Sequence, residues 1–180
     1  MTDKIKYAII GAGCMGQEHI LNIEIIEDAE VVALCDTSEQ SIKECLELLN
    51  NEVAIFEDYN ELVRANIADA FIIATPNFTH IDVLKDVMKS EAHLLIEKPL
   101  CTTVKDCQEF EELSKNYPGV IWTAMEYRYM PPVQRMIQEI HNKTIGDLKM
   151  LSIREHRFPF LHKVDDWNRF TIKTGGTLVE

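Results

Sequence analysis

Short apolar runs alternate along this chain with longer stretches in which apolar residues recur every three or four positions. IKYAII, VVALCD, DAFIIAT, HLLIEK and VIWTAM have the length and β-branched content of strands, and AIF around Ile55 is a weaker sixth. Between them the period predicts helices over Met15–Glu27, Glu39–Leu49, Tyr59–Ala65, Thr79–Ser90 and Val104–Asn116, with Asp58 and Thr103 as N-caps of the third and the last. Strand and helix in alternation predict an α/β domain built on a parallel sheet. Strands apolar on both faces require helices on both sides of it, so the sheet is doubly wound.

The pattern changes after Pro131-Pro132. VQRMIQEIHNK reads as a helix ending near Gly146, and DLKMLSIREHRF then alternates like a half-exposed antiparallel strand. A domain change is placed near residue 125. It gives a doubly wound domain over 1–125 and, over 126–180, the start of an α+β domain. A lone strand offers unpaired backbone groups to another chain, so self-association is expected.

Composition narrows the setting. The 180 residues are 46% apolar and 27% charged, with a net charge of -12 and no basic block, which disfavours nucleic acid or an anionic membrane as partner. No apolar stretch approaches the roughly 18–20 residues that span a bilayer. IKYAIIGAG has lysines ahead of an apolar run, but the run is short and enters a glycine turn, so it reads as a first strand rather than a signal peptide. Five cysteines without CxxC spacing suggest neither a disulfide framework nor a zinc site, and fit a reduced cytoplasmic compartment.

The most informative turn is GAGCMG, between the first strand and the first helix. Gly11 permits the tight turn, Gly13 lets the backbone approach a pyrophosphate, and Gly16 allows close helix–strand packing; Cys14 and Met15 lie at the helix N-terminus, whose free N–H groups suit phosphate. VVALCD places Asp36 at the distance where an acid accepts ribose hydroxyls. An acid there repels a 2′-phosphate and no arginine follows in DTSEQS, favouring NAD over NADP, although Lys43 is within reach of the same region. A methyltransferase-type cofactor site uses a similar turn and acid.

Ligands of an open parallel sheet lie outside the carboxyl ends of its strands. The third of the five clear strands ends in ATPNFTH, where Thr75, Pro76 and Asn77 form a turn and His80 opens a helix, either as a ligand contact or as a structural hydrogen-bonding group. The fourth ends in LLIEKPL. A buried charge is costly unless paired or used, so Glu97 and Lys98 mark either a site or a surface ion pair. At a site, Lys98 could hold a substrate oxygen or pass a proton, with Pro99 fixing the turn through a cis bond.

GAGCMG, Asp36 after VVALC, ATPNFTH, LLIEKPL, DDWNRF and GGTLVE, in this order, resemble the Gfo/Idh/MocA family of nicotinamide-dependent oxidoreductases. The resemblance implies a Rossmann domain followed by a domain whose open antiparallel sheet shapes the substrate site and an oligomer interface. It implies NAD as cofactor, with NADP second, and a sugar, polyol or related hydroxy compound as substrate. It implies a catalytic role for Lys98 beside the nicotinamide and a turn-holding role for Glu97. The family's acid after a glycine pair falls on Glu180, where aspartate is common, and its histidine would lie four positions further on, beyond the last residue. A non-catalytic NAD-binding fragment is therefore the alternative reading. Arg128 in EYRYMPP matches the family and reads as a structural link, whereas Glu126 and Tyr127 depart from it. His156, His162, Asp165 and Asp166 lack metal-ligand regularity, so no metal is expected.

Overall fold

A computed structural model describes residues 4–154, 156 and 163–176. Six parallel strands, β1 (Ile5–Ile10), β2 (Ala29–Cys35), β3 (Ala54–Phe56), β4 (Ala70–Ile73), β5 (His93–Ile96) and β6 (Ile121–Thr123), lie in the order β3-β2-β1-β4-β5-β6. The order reverses between β1 and β4, which opens a crevice at the carboxyl ends of these two strands. The crossovers carry α1 (Cys14–Glu24), α2 (Glu39–Leu46), α3 (Tyr59–Ala65), α4 (His80–Val87) and α5 (Val104–Ser114). Each forms where the sequence predicts it. Asp58 accepts from the Asn60 amide at 2.8 Å and Thr103 from the Asp106 amide at 3.1 Å, the two expected caps.

Alternation along the central strands feeds two cores, one on each face of the sheet. Ala8 and Ile10, Phe71 and Ile73, and Leu94 and Ile96 join Leu62, Leu84 and Val87 on one face. Ile9 and Ile72 join Ile20, Ile23, Val31, Leu34 and Cys45 on the other. Strand β2 shows how the two faces are reconciled with its sequence. Ala29 and Val31 share a face with Leu34, while Ala33 and Cys35 lie on the opposite one. Period two forbids this unless one residue is skipped. The register jumps from Tyr7 opposite Val31 to Ala8 opposite Ala33, so Val32 is the extra residue of a bulge, and both faces of β2 are filled by apolar side chains.

The chain divides into two compact units, one running to Ala124 and resuming at Lys163, the other from Met125 to His162. The second unit contains a 3₁₀ turn over Glu126–Tyr129 and α6 (Pro131–His141), which begins on a proline suited to a first helical turn; neither has a buried residue. The alternating stretch after Gly146 is not a strand in its described residues, 147–154 and 156. Alternation alone does not make a strand, because the ladder needs a partner, and none runs beside this segment among the described residues. Within the first unit, residues 163–176 form a 3₁₀ segment over Val164–Arg169 and a single turn, α7 (Thr171–Thr174). Glu180 and His162 lie outside the described residues.

Ile72 lies in β4 beside the switch point and is 1% exposed. Ile72→Ala should lower unfolding free energy by about 2–5 kcal/mol in urea titration; a loss of about 0.5 kcal/mol or less would show that the two-faced core does not hold this strand.

Candidate functional site

The glycine turn leaves β1 with little freedom. Gly11 has φ +102°, and a Cβ on it would sit 2.5 Å from the Ala74 carbonyl carbon at the end of β4. A Cβ on Gly16 would sit 2.2 Å from the Gly11 carbonyl oxygen, so α1 rests directly on the turn. Gly13 differs from both: nothing lies within 4 Å of its Cβ position, which leaves open space over its backbone. Gly13 is also the N-cap of α1 and supplies no side chain to the helix's first N–H groups. Cys14 is half-buried and Met15 exposed.

The peptide of Ala12 is gripped from both sides. Asp36 Oδ2 accepts from the Ala12 amide at 2.7 Å, and the Cys45 thiol donates to the Ala12 carbonyl at 3.3 Å. Burial, with Asp36 and Glu44 adding, pushes the Cys45 thiol up to about 11, so it remains a neutral donor. The other Asp36 oxygen accepts from the Ser38 amide at 2.8 Å. Each carboxylate oxygen keeps a second lone pair, so both can accept again. Beside Asp36 lies a cavity of about 180 Å³ with an apolar floor of Ile42, Leu46 and Ile55 and a rim of Glu39, Glu57 and Lys43. With Asp36, three carboxylates face one ammonium there.

The loops after β4 and β5 meet at His80. Its ring is fully buried, with Nδ1 2.9 Å from the Pro99 carbonyl and Nε2 2.9 Å from the Thr75 carbonyl. It is an internal tie: the neutral ring donates to one carbonyl at a time, and its other nitrogen is covered by the second. Thr79 Oγ1 donates within the same turn, to the Pro76 carbonyl at 2.7 Å, with Thr75 Oγ1 at 2.8 Å. Asn77 is 6% exposed, yet its Nδ2 has no hydrogen-bond partner. A buried amide donor left unpaired is costly, and at a strand end it suits a ligand acceptor.

At the end of β5, Glu97 is 6% exposed. Its Oε1 lies 2.8 Å from His19 Nε2 on α1, and its Oε2 accepts from the Lys98 amide at 3.2 Å. The Lys98–Pro99 bond is cis. Lys98 itself is half-buried, and no acidic partner of its amine is found among the described residues. The sequence did not single out His19. Its place one turn after Gly16, on the helix that starts at the glycine turn, was the signal available. Nor did sequence reasoning find the returning segment: Trp167 meets Phe78 edge-on with centroids 6.4 Å apart, and Lys173 Nζ lies 5.4 Å from the ring centres of both Phe78 and Phe170. Among the described residues there is no group of three or more His, Cys, Asp or Glu able to hold a metal ion, and no helix long and apolar enough to cross a membrane.

A parallel sheet whose switch point carries this turn and acid defines a dinucleotide-binding class of protein. The chain belongs to the Gfo/Idh/MocA oxidoreductase family, whose NAD-binding Rossmann-fold model matches residues 5–125. It is 28% identical over 149 residues to myo-inositol 2-dehydrogenase of Thermotoga maritima, an alignment covering 83% of this chain and 44% of the relative. It is 26% identical over 151 residues to glucose-6-phosphate 3-dehydrogenase of Bacillus subtilis, covering 84% and 41%. In fold it matches scyllo-inositol dehydrogenase from Lactobacillus casei, solved with NAD(H) and scyllo-inositol, with a TM-score of 0.75 at 22% identity, over 81% of this chain and 43% of that one. The chain thus spans somewhat under half the length of these relatives.

Burial holds the His80 ring below its ordinary pKa of 6.5, against the upward pull of the Thr75 and Pro99 carbonyls and of Glu97. The unfolded chain takes up this proton near 6.5 and the folded chain only at lower pH. Stability therefore falls as pH drops through that window, by up to about 1.4 kcal/mol per unit. Urea titrations at about pH 7.5 and about pH 5.5 should show a larger acid loss for the wild type than for His80→Gln. Equal losses would contradict the assignment.

Proposed function

We propose that this chain carries the dinucleotide-binding part of an oxidoreductase that moves a hydride between NAD and a CH–OH carbon of a sugar, polyol or related hydroxy compound. The observation that carries the reading is convergence at one sheet edge. The open glycine turn, Asp36, the unpaired Asn77 amide and Lys98 all lie at the carboxyl ends of β1, β2, β4 and β5.

The residues fit the cofactor. The space over Gly13 and the uncapped start of α1 suit a diphosphate, with the backbone of Cys14, Met15 and Gly16 as donors. The spare lone pairs of Asp36 suit ribose hydroxyls, and the apolar-floored cavity beside it suits a purine ring. Three carboxylates around that cavity disfavour a 2′-phosphate, which supports NAD over NADP. Thr75 and Pro76 shape the wall of the crevice, and Asn77 offers its amide to the bound molecule. When bound, NAD accepts or returns the hydride.

Lys98 then acts on the substrate. An ammonium at the end of β5 can hold the oxygen of the reacting carbinol, stabilise negative charge as it develops, and exchange a proton with it. Glu97 holds the Lys98 peptide in place. Glu180 is the candidate assisting acid by family resemblance. The relatives, a myo-inositol 2-dehydrogenase and a glucose-6-phosphate 3-dehydrogenase, support a polyhydroxylated substrate. Acidic overall charge supports a small-molecule partner over nucleic acid or membrane.

Titration followed by nicotinamide fluorescence should give saturable NADH binding, tighter than NADPH by about tenfold or more. Equal affinity, or tighter NADPH, would overturn the reading of Asp36 and its acidic rim. In a chain of the relatives' full length, Lys98→Met should cut turnover of a polyol about 10²–10⁴-fold while NADH still binds. Unchanged turnover would remove Lys98 from the mechanism, and binding without any polyol turnover in the wild type would favour the binding-only alternative.

A further inference from the structure

The feature that the functional reading leaves unexplained is why the glutamate beside Lys98 is buried against a histidine of another element. Glu97 is nearly solvent-free, so its carboxylate must be partnered inside the protein. Two side chains able to pair with it lie within reach of its place in the chain. One is His19 on α1, whose Nε2 lies 2.8 Å from Oε1. The other is the amine of its own neighbour, Lys98, on a stem long enough to fold back.

We propose that His19 is a positioning residue that keeps the Glu97 carboxylate occupied, and so leaves the Lys98 amine free to meet a ligand oxygen. The inference rests on the reading of Lys98 as the group that meets substrate. The geometry supports it from three sides. Oε1 lies against His19 Nε2 at 2.8 Å and Oε2 accepts from the Lys98 backbone amide at 3.2 Å, so each oxygen already has a partner other than the lysine amine. His19 is fixed by the helix that begins at the glycine turn, and Gly16, one turn earlier, presses that helix against the Gly11 carbonyl. The imidazole is therefore presented by the same rigid element that presents the first amides of α1. His80 is near enough to Glu97 to feel its charge, but its ring is held between the Thr75 and Pro99 carbonyls. His19 is left as the direct side-chain partner of this carboxylate.

The competition has a chemical consequence. If His19 is lost, the buried carboxylate is left to the amine of its neighbour, Lys98. A lysine paired with it releases its proton less readily and presents a less reactive amine. The effect should appear without cofactor, in the rate at which acetic anhydride acetylates Lys98, read by mass spectrometry of the peptide carrying it.

The experiment compares the wild type, His19→Leu, His19→Gln, Glu97→Gln and the double variant His19→Leu/Glu97→Gln, with the remaining lysines as internal references. At about pH 8, His19→Leu should lower the Lys98 rate about tenfold. His19→Gln, whose amide can replace Nε2 as donor, should restore it, and the double variant should react like the wild type because no carboxylate remains to capture the amine. Should His19→Leu fail to fold, His19→Asn, polar but too short to reach Oε1, takes its place. An unchanged Lys98 rate in the folded single variant, or a lowered rate that the double variant does not recover, overturns the proposal. NADH titration of the same proteins separates the two readings: a wild type that binds no NADH counts against the cofactor assignment, while the acetylation contrast stands or falls alone.

Discussion

The close approach of α1 to the end of β1 is the constraint on which the rest of the molecule depends. Gly16 can lie on the Gly11 carbonyl only because it has no Cβ, and Gly11 can turn beneath β4 only because it can hold a positive φ without one. A side chain at Gly16 would lift the helix from the turn, and one at Gly11 would collide with the backbone of Ala74 and Thr75 after β4. With the helix in place, its uncapped N-terminus points over the crevice where the strand order reverses, and Asp36 can reach across to the Ala12 amide. One steric fact thereby sets the direction of a helix end and the position of an acid two dozen residues away.

The same edge is assembled from polar ties between loops that are distant in sequence. Asp36 joins the end of β2 to the glycine turn, His19 joins α1 to the end of β5, and His80 joins the loops after β4 and β5. Each tie uses a group that would be costly to bury alone. Asn77 breaks the pattern, since its Nδ2 is buried without a partner, as is Oδ1 of Asn168, next to the Trp167 that meets Phe78. An unpaired donor at this edge is a group that a ligand acceptor can satisfy. The proposed hydride-transfer chemistry draws on that edge.

Much of this was legible in the sequence because the signals are local. Six apolar runs of strand length and the intervening helical period correspond to the six strands and five crossover helices, and Asp58 and Thr103 cap the helices they precede. The bulge at Val32 was not legible, since VVALC is apolar at every position and the period that would reveal a skipped residue is absent. His19 was hidden for a different reason: its partner is distant in sequence, and a histidine in an amphipathic helix carries no mark of the carboxylate it will meet. The stretch after Gly146 misled because alternation records which faces a strand would present, not whether another strand lies beside it.

The central claim is that a dinucleotide lies across the carboxyl edge of β1, β2, β4 and β5. Amide hydrogen exchange with and without saturating NADH tests it most directly. The account predicts slowed exchange at Ala12 to Gly16, around Asp36, at Asn77 to His80 and at Lys98, with the far ends of the strands unchanged. Saturable binding that protects none of these amides, or protects only residues at the opposite edge of the sheet, would contradict it.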